Sequence, residues 1–270
     1  MARGIRIGIN AKTRRRRTPL TLPILASCAL MLLACPPGGA RAGEVVVAVA
    51  ANFLNTAERL AGRFGHDTGH QVTLVSGSTG ALYAQIAQGA PYGVLLAADQ
   101  SRPARLIADG LAVPGSRFTY ALGRISVWSA DPQVLADGIG PLKTGAFRHI
   151  AIANPELAPY GVAARQALAA LGLEDAVSGR LVLGQNIGQT MAMVATGNAG
   201  IGIVATSLLN DAERGGSRWD IPERAHDPIR QDAVLLHSAR DPATATAFLV
   251  FLQSDTARAM IDAAGYTAPR

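Results

Sequence analysis

The chain has 270 residues, 49% hydrophobic and 16% charged, with a formal net charge of +6. All of that excess comes from the first 42 residues, which hold eight of the 25 Lys and Arg and no acid; the other 228 carry 17 bases against 19 acids, a net −2. A basic nucleic-acid surface is thereby excluded. So is cysteine or disulfide chemistry in the main body, because Cys28 and Cys35 both lie in the leading segment.

In that segment Arg14, Arg15, Arg16 and Arg17 precede an apolar run of 15 residues from Leu20 to Ala34, and Ala40-Arg41-Ala42 offers small residues around a cut. This is the layout of a secretory signal peptide, residues 1–42, with export to the periplasm. The run falls short of the roughly 20 residues that span a bilayer, and Pro19 and Pro23 interrupt its start. Leu32-Leu33-Ala34-Cys35 resembles a lipoprotein processing site, so a chain tethered by a lipid on Cys35 is the alternative.

From residue 43 onward strand, turn and helix alternate. Glu44–Ala50 is a nearly continuous Val run, as a strand buried on both faces requires, and residues 52–64 place Phe53, Ala57, Leu60, Ala61 and Phe64 at helical spacing. Residues 71–75 read as a strand, followed by Ser76-Gly77-Ser78-Thr79-Gly80 and a helix over 81–88. Residues 94–97 read as the next strand, followed by Asp99 and a helix over 102–109. A longer strand over 124–129 opens a second set: strand 149–153 and helix 162–171, strand 180–183 and helix 187–196, then strand Ile201–Ala205. The final stretch, strand 231–238 and one helix over 242–261, returns to the first set. The expected fold is α/β with two lobes, 43–123 with 229–270 and 124–228, joined by two chain crossings and separated by a ligand cleft. Few aromatics and 29 glycines suit close helix-on-sheet packing.

In such sheets ligands settle at the carboxyl ends of strands, against helix N-termini whose first N–H groups are unpaired and carry partial positive charge. The turns here hold Asn52, Ser78-Thr79-Gly80, Tyr160-Gly161 and Asn186-Ile187-Gly188, with no Arg or Lys and no carboxylate at the innermost positions. A fully deprotonated tetrahedral oxyanion only accepts hydrogen bonds, so a cage of neutral donors suits it. An organic carboxylate would ordinarily recruit an Arg, and protonated phosphate would need an acceptor. Taken singly, Asn52, Ser78 and Thr79 are more simply helix N-caps, and Asp99 organises the start of the helix that follows it.

Ala50-Ala51-Asn52-Phe53-Leu54, Ser76-Gly77-Ser78-Thr79-Gly80 with Tyr83-Ala84-Gln85-Ile86, Gly89-Ala90-Pro91, Ala97-Ala98-Asp99 and Asn154-Pro155-Glu156-Leu157-Ala158-Pro159-Tyr160-Gly161 together resemble the periplasmic molybdate-binding proteins, over essentially all of residues 44–270. The resemblance implies a type II two-lobed receptor that serves an ABC transporter, a membrane permease with its ATPase, and works as a monomer. It implies that molybdate or tungstate is held as an oxyanion, with no cofactor and no direct metal ligand from the protein. Motif by motif it implies Asn52 with Ala51, Thr79 with Ser78, Tyr160, and Ile187 through its backbone N–H. The chain departs from one branch of the family at Asn52, where a serine is common, and at Ala205, where that branch has a tyrosine. Tyr160 then stands in as the hydroxyl donor, and any role of Ala51 is confined to its N–H.

The alternatives are a receptor for another oxyanion, sulfate or phosphate, and an enzyme using the same cleft. Enzymatic signatures are weak. His66, His70, His149, His226 and His237 lack metal-ligand spacing, and Gly200-Ile201-Gly202-Ile203-Val204-Ala205 coincides with a strand where a dinucleotide fingerprint would follow one. Gly77-Ser78-Thr79-Gly80 has no Lys to make a phosphate loop, and no Gly-x-Ser-x-Gly elbow occurs.

Overall fold

The computed structural model describes residues 42–210 and 215–269. Residues 1–41, on which the expected signal peptide and Cys35 fall, lie outside the described residues. Ala42–Arg270 form one compact unit.

In chain order β1 (Glu44–Ala50), α1 (Leu54–Thr68), β2 (Gln71–Gly77), α2 (Thr79–Ala87), β3 (Val94–Leu96), α3 (Ser101–Ala108) and β4 (Phe118–Gly123) come first. After the single residue Arg124 come β5 (Ile125–Ser129), α4 (Gly140–Thr144), β6 (Ile150–Ala153), α5 (Pro159–Ala170), α6 (Glu174–Val177), β7 (Leu181–Gly184), α7 (Ile187–Ala195), β8 (Ile201–Ala205), α8 (Thr206–Asn210) and β9 (Ser217–Asp220). β10 (Ile229–Leu235), α9 (Pro242–Leu252) and α10 (Asp255–Ala263) follow.

The strands build two five-stranded sheets, ordered β2-β1-β3-β10-β4 and β7-β6-β8-β5-β9. Each has a parallel trio, β2-β1-β3 and β7-β6-β8, because helices connect those strands. Each also has an antiparallel addition: β10 pairs with both β3 and β4, and β5 with both β8 and β9. The chain leaves the first sheet at Arg124 and re-enters it at β10, so the first sheet is completed by a sequence-distant strand while the second is built from one continuous stretch, β5 to β9.

Burial explains the Val-rich runs. Val47, Ala48 and Val49 of β1 are fully buried because both faces of the first sheet are covered: α1, α9 and α10 on one side, α2 and α3 on the other. Phe53, Phe64 and Phe248 anchor the first layer, each worth roughly 1.5–3 kcal/mol of burial. In the second sheet the small side chains of Ala151 and Ala153 on β6 and Ala163, Ala164 and Ala167 on α5 share one core and bring helix and sheet close.

Besides the short helices α4, α6 and α8, which have no counterpart in the sequence reading, three local features differ from the sequence expectation. β4 and β9 are additional strands, edge strands of modest burial that lack a long apolar run. The single C-terminal helix is two, because Ser254 accepts a hydrogen bond from the Ala257 N–H at 3.2 Å and caps the start of α10.

Candidate functional site

Four helix starts converge between the two sheets. One 3-10 turn, Ala51–Phe53, leads from β1 into α1; α2 follows β2; α5 and α7 follow β6 and β7. Phe53 fixes the first of these by packing edge-on against Tyr120 and Tyr266, with centroid distances of 4.7 and 5.2 Å. Ser78 caps α2 by accepting from Ala81 N–H at 3.3 Å, and Asn186 caps α7 by accepting from Gln189 N–H at 2.9 Å. Such caps satisfy the inner N–H groups and leave the outermost ones, at Thr79 and Ile187, directed off the helix end.

Ala51, Asn52, Ser78, Thr79, Tyr160 and Ile187 all line one cavity, with Ala50, Gly77, Ala98, Ala158, Pro159 and Asn186. Every one of these twelve residues is uncharged at neutral pH. The cavity is small, about 10 Å³, against the roughly 300–1,000 Å³ of sites that take drug-sized organic ligands. Its field is set by the partial positive charge of the helix N-termini around it.

The structure alters which atoms these residues present. The Asn52 Nδ2 group donates to Gln231 Oε1 at 2.7 Å and to the Tyr266 hydroxyl at 3.1 Å, so its two amide hydrogens are engaged away from the cavity. The Tyr160 hydroxyl accepts from Gln231 Nε2 at 3.4 Å and lies 3.4 Å from Asn52 Nδ2. The expectation of a phenol donor on the ligand is therefore revised: Tyr160 is 1% exposed, and what its place in the first turn of α5 offers the cavity is its backbone N–H. Burial, ahead of the nearby Tyr266 and Tyr120, pushes the Tyr160 phenol well above its ordinary range, so it stays protonated and neutral. Thr79 Oγ1 accepts from Ala98 N–H at 3.0 Å and keeps its own proton to donate. Ser78 is the N-cap that residues of its type ordinarily make, and so is Asp99 in effect, accepting from Arg102 N–H at 2.9 Å at the start of α3.

The halves of the molecule also touch beside the cavity. Gly80 N–H donates to Leu157 O at 2.9 Å, and Arg102, paired with Asp99 through Nη1, donates through Nη2 to Glu156 O at 3.1 Å. Gln231, Tyr266 and Tyr120 were not singled out by sequence; a polar residue inside a strand or near a terminus gives no local sign that it is buried.

Two five-stranded α/β halves, joined by two chain crossings and each adding antiparallel strands to a parallel trio, with helix N-termini meeting between them, define the type II class of two-lobed binding proteins. Comparison with known proteins agrees. The profile of a family described as bacterial extracellular solute-binding protein matches residues 45–267. The chain is 48% identical over 237 residues to the molybdate-binding protein ModA of Azotobacter vinelandii, covering 87% of this chain and 93% of that one. It is 46% identical to the molybdate-binding protein ModA of Rhodobacter capsulatus, covering 88% and 92%. A solved structure of the periplasmic molybdate-binding protein of Azotobacter vinelandii superposes with a TM-score of 0.80 at 43% identity, covering 84% of this chain and all of that one. This chain belongs to the bacterial extracellular solute-binding protein family.

Proposed function

We propose that this protein captures molybdate, or the isosteric tungstate, in the cavity between its two sheets and delivers it to an ABC transporter. The observation that carries this reading is the cavity: compact, lined only by uncharged residues, and placed where four helix N-termini meet. A tetrahedral dianion with no proton is the ligand for which such a cage leaves nothing unpaired, since each backbone N–H meets an acceptor oxygen and no carboxylate repels it. Protonated phosphate would need an acceptor for its hydrogen, and the lining holds no carboxylate to supply one. The names of the relatives at 46–48% identity support molybdate in particular.

In this reading the donors are the N–H groups of Ala51 and Asn52, of Thr79 with its hydroxyl and Ser78 beside it, and of Tyr160 and Ile187. Asn52 and Thr79 come from the lobe formed by residues 43–123 and 229–270, Tyr160 and Ile187 from the lobe formed by 124–228. A ligand bonded to both lobes favours their closed arrangement over any open one, because only the closed one completes the cage. Export by the leading segment, release in the periplasm and recognition of the closed form by a permease with its ATPase complete the proposed cycle, in which the protein works as a monomer and binds without catalysis.

Calorimetric titration of the mature chain with molybdate, tungstate, sulfate and phosphate tests the assignment. Molybdate and tungstate are expected to bind tightly and stoichiometrically, sulfate and phosphate weakly or not at all; sulfate or phosphate binding as tightly as molybdate would sink it.

The closing motion has its own test at Gly80. A Cβ there would stand 2.9 Å from Leu157 O and 3.1 Å from Leu157 Cα, backbone atoms of the opposite half. Gly80→Ala is expected to weaken molybdate binding by about 1–3 kcal/mol, the usual cost of overpacking, while the thermal midpoint of the empty protein stays near that of the wild type. Equal affinities in the two proteins would mean that this contact is no part of closure.

A further inference from the structure

Gln231 lies on β10, carries no solvent exposure and does not line the cavity, yet it is bonded to residues from both of the cavity's walls. Its Oε1 accepts from Asn52 Nδ2 at 2.7 Å and lies 3.4 Å from the Tyr120 hydroxyl, which donates to Ala97 O at 3.1 Å; its Nε2 donates to the Tyr160 hydroxyl at 3.4 Å. Asn52 starts the helix that leaves β1, and Tyr160 is in the first turn of α5 in the other half. The β10–β4 ladder shifts register between Gln231 and Asp232. Such an irregularity re-aims a strand's side chains next to functional sites. The Asn52 peptide is pinned from a second side, since Tyr266 donates to Asn52 O at 2.6 Å while accepting from Asn52 Nδ2 and from Ser207.

A side chain in this place has to accept on one side, donate on the other and stay neutral. Of the side chains long enough to reach both partners, glutamine does all three. We infer that Gln231 is a positioning residue of the anion site: it sets the spacing between the N–H groups that Asn52 and Tyr160 present, and through that spacing the size of oxyanion the cage prefers. The inference rests on the reading of the cavity as the molybdate site.

The experiment compares wild type, Gln231→Leu, Gln231→Glu and a control, Thr244→Val, by thermal melting and by titration with molybdate and sulfate. Thr244 is equally buried and bonded, but it caps α9 through Asp241 far from the cavity. Gln231→Leu is expected to raise the molybdate Kd at least about tenfold, the effect of about one lost hydrogen bond to a charge-binding group, and to narrow the ratio of sulfate to molybdate Kd. Thr244→Val is expected to lower the melting temperature with both Kd values unchanged.

Gln231→Glu adds a signature that no structural role would give. At about pH 5.5 the buried new carboxyl is protonated and can still donate to Tyr160 and accept from Asn52; at about pH 8 its ionised form loses the donor and adds negative charge behind the anion. Its molybdate affinity is expected to fall between those two pH values while that of wild type stays level. The titratable groups facing it are the phenols of Tyr120 and Tyr160, with Tyr266 joined to the same cluster through Asn52, and the neighbouring carboxylate of Asp232 is turned to Thr119, Gln100 and Arg117.

Folded Gln231 variants that keep wild-type Kd values, ratio and pH profile would overturn the inference and leave the site assignment standing. Wild type that takes up no molybdate would overturn both.

Discussion

Gly161→Ala is expected to destabilise the protein by about 3 kcal/mol or more, at the upper end of what overpacking costs, and to impair molybdate binding with it. A Cβ on Gly161 would stand 2.1 Å from Ala153 O, 2.8 Å from Ala153 C and 2.8 Å from Pro155 N. All three neighbours are backbone, so no side chain can swing aside to relieve the contact. The strain would be met by lifting the first turn of α5 off the end of β6, and Tyr160, next in the chain, would move its N–H out of the cavity with it. Urea unfolding and calorimetry on the same preparation check both effects. A variant within about 1 kcal/mol of wild type would show that α5 has room that the close Ala-rich packing denies it.

Ile187→Pro is expected to cost molybdate affinity roughly 10- to 100-fold, about 1.5–3 kcal/mol for one hydrogen bond to a charged ligand. The site suits the substitution in every respect but the missing donor. Ile187 is the first residue of α7, a position that proline favours. Asn186 before it is extended, with φ −153° and ψ 174°, as a residue preceding proline must be. The helix should therefore persist while a single N–H disappears. Ile187→Ala separates the loss of the donor from the loss of the side chain, which is 3% exposed, since alanine retains the N–H. Affinity close to wild type for alanine and weak for proline is the expected pair of results. Equal affinities for both would mean that the α7 terminus does not contact the anion.

Both experiments turn on backbone groups, and this is where reading the chain in one dimension reached its limit. Periodicity is local, so the buried Val runs, the helical spacing behind each of them and the return of the last strand to the first set could be read directly. β4 and β9 could not, because neither β4, next to the crossing at Arg124, nor the short, half-exposed β9 has a continuous apolar run. The break before α10 did have a signal, the Ser254-Asp255 pair, hidden inside an otherwise helical pattern.

At the site, all six residues marked by the turn motifs line the same cavity. What their types could not convey was direction. Asn52 and Tyr160 were natural candidates to reach the ligand with amide and hydroxyl, and both of those groups turn into a buried polar cluster instead. Gln231 stayed invisible because its partners Tyr160, Tyr120 and Asn52 lie 71, 111 and 179 residues away in the chain. No window on the sequence contains such a constellation.

The uncharged lining of the cavity has one more consequence. A receptor built on histidine would hold its cargo by an amount that varies with the acidity of the surrounding fluid, and one built on arginine by an amount that varies with its salinity. In the proposed site the donors are backbone amides and the Thr79 hydroxyl, with no proton to lose across the habitable range, and they act as dipoles at contact distance, which mobile ions screen poorly. The grip is thus uncoupled from the weather outside, and the trace nutrient is ranked by shape alone.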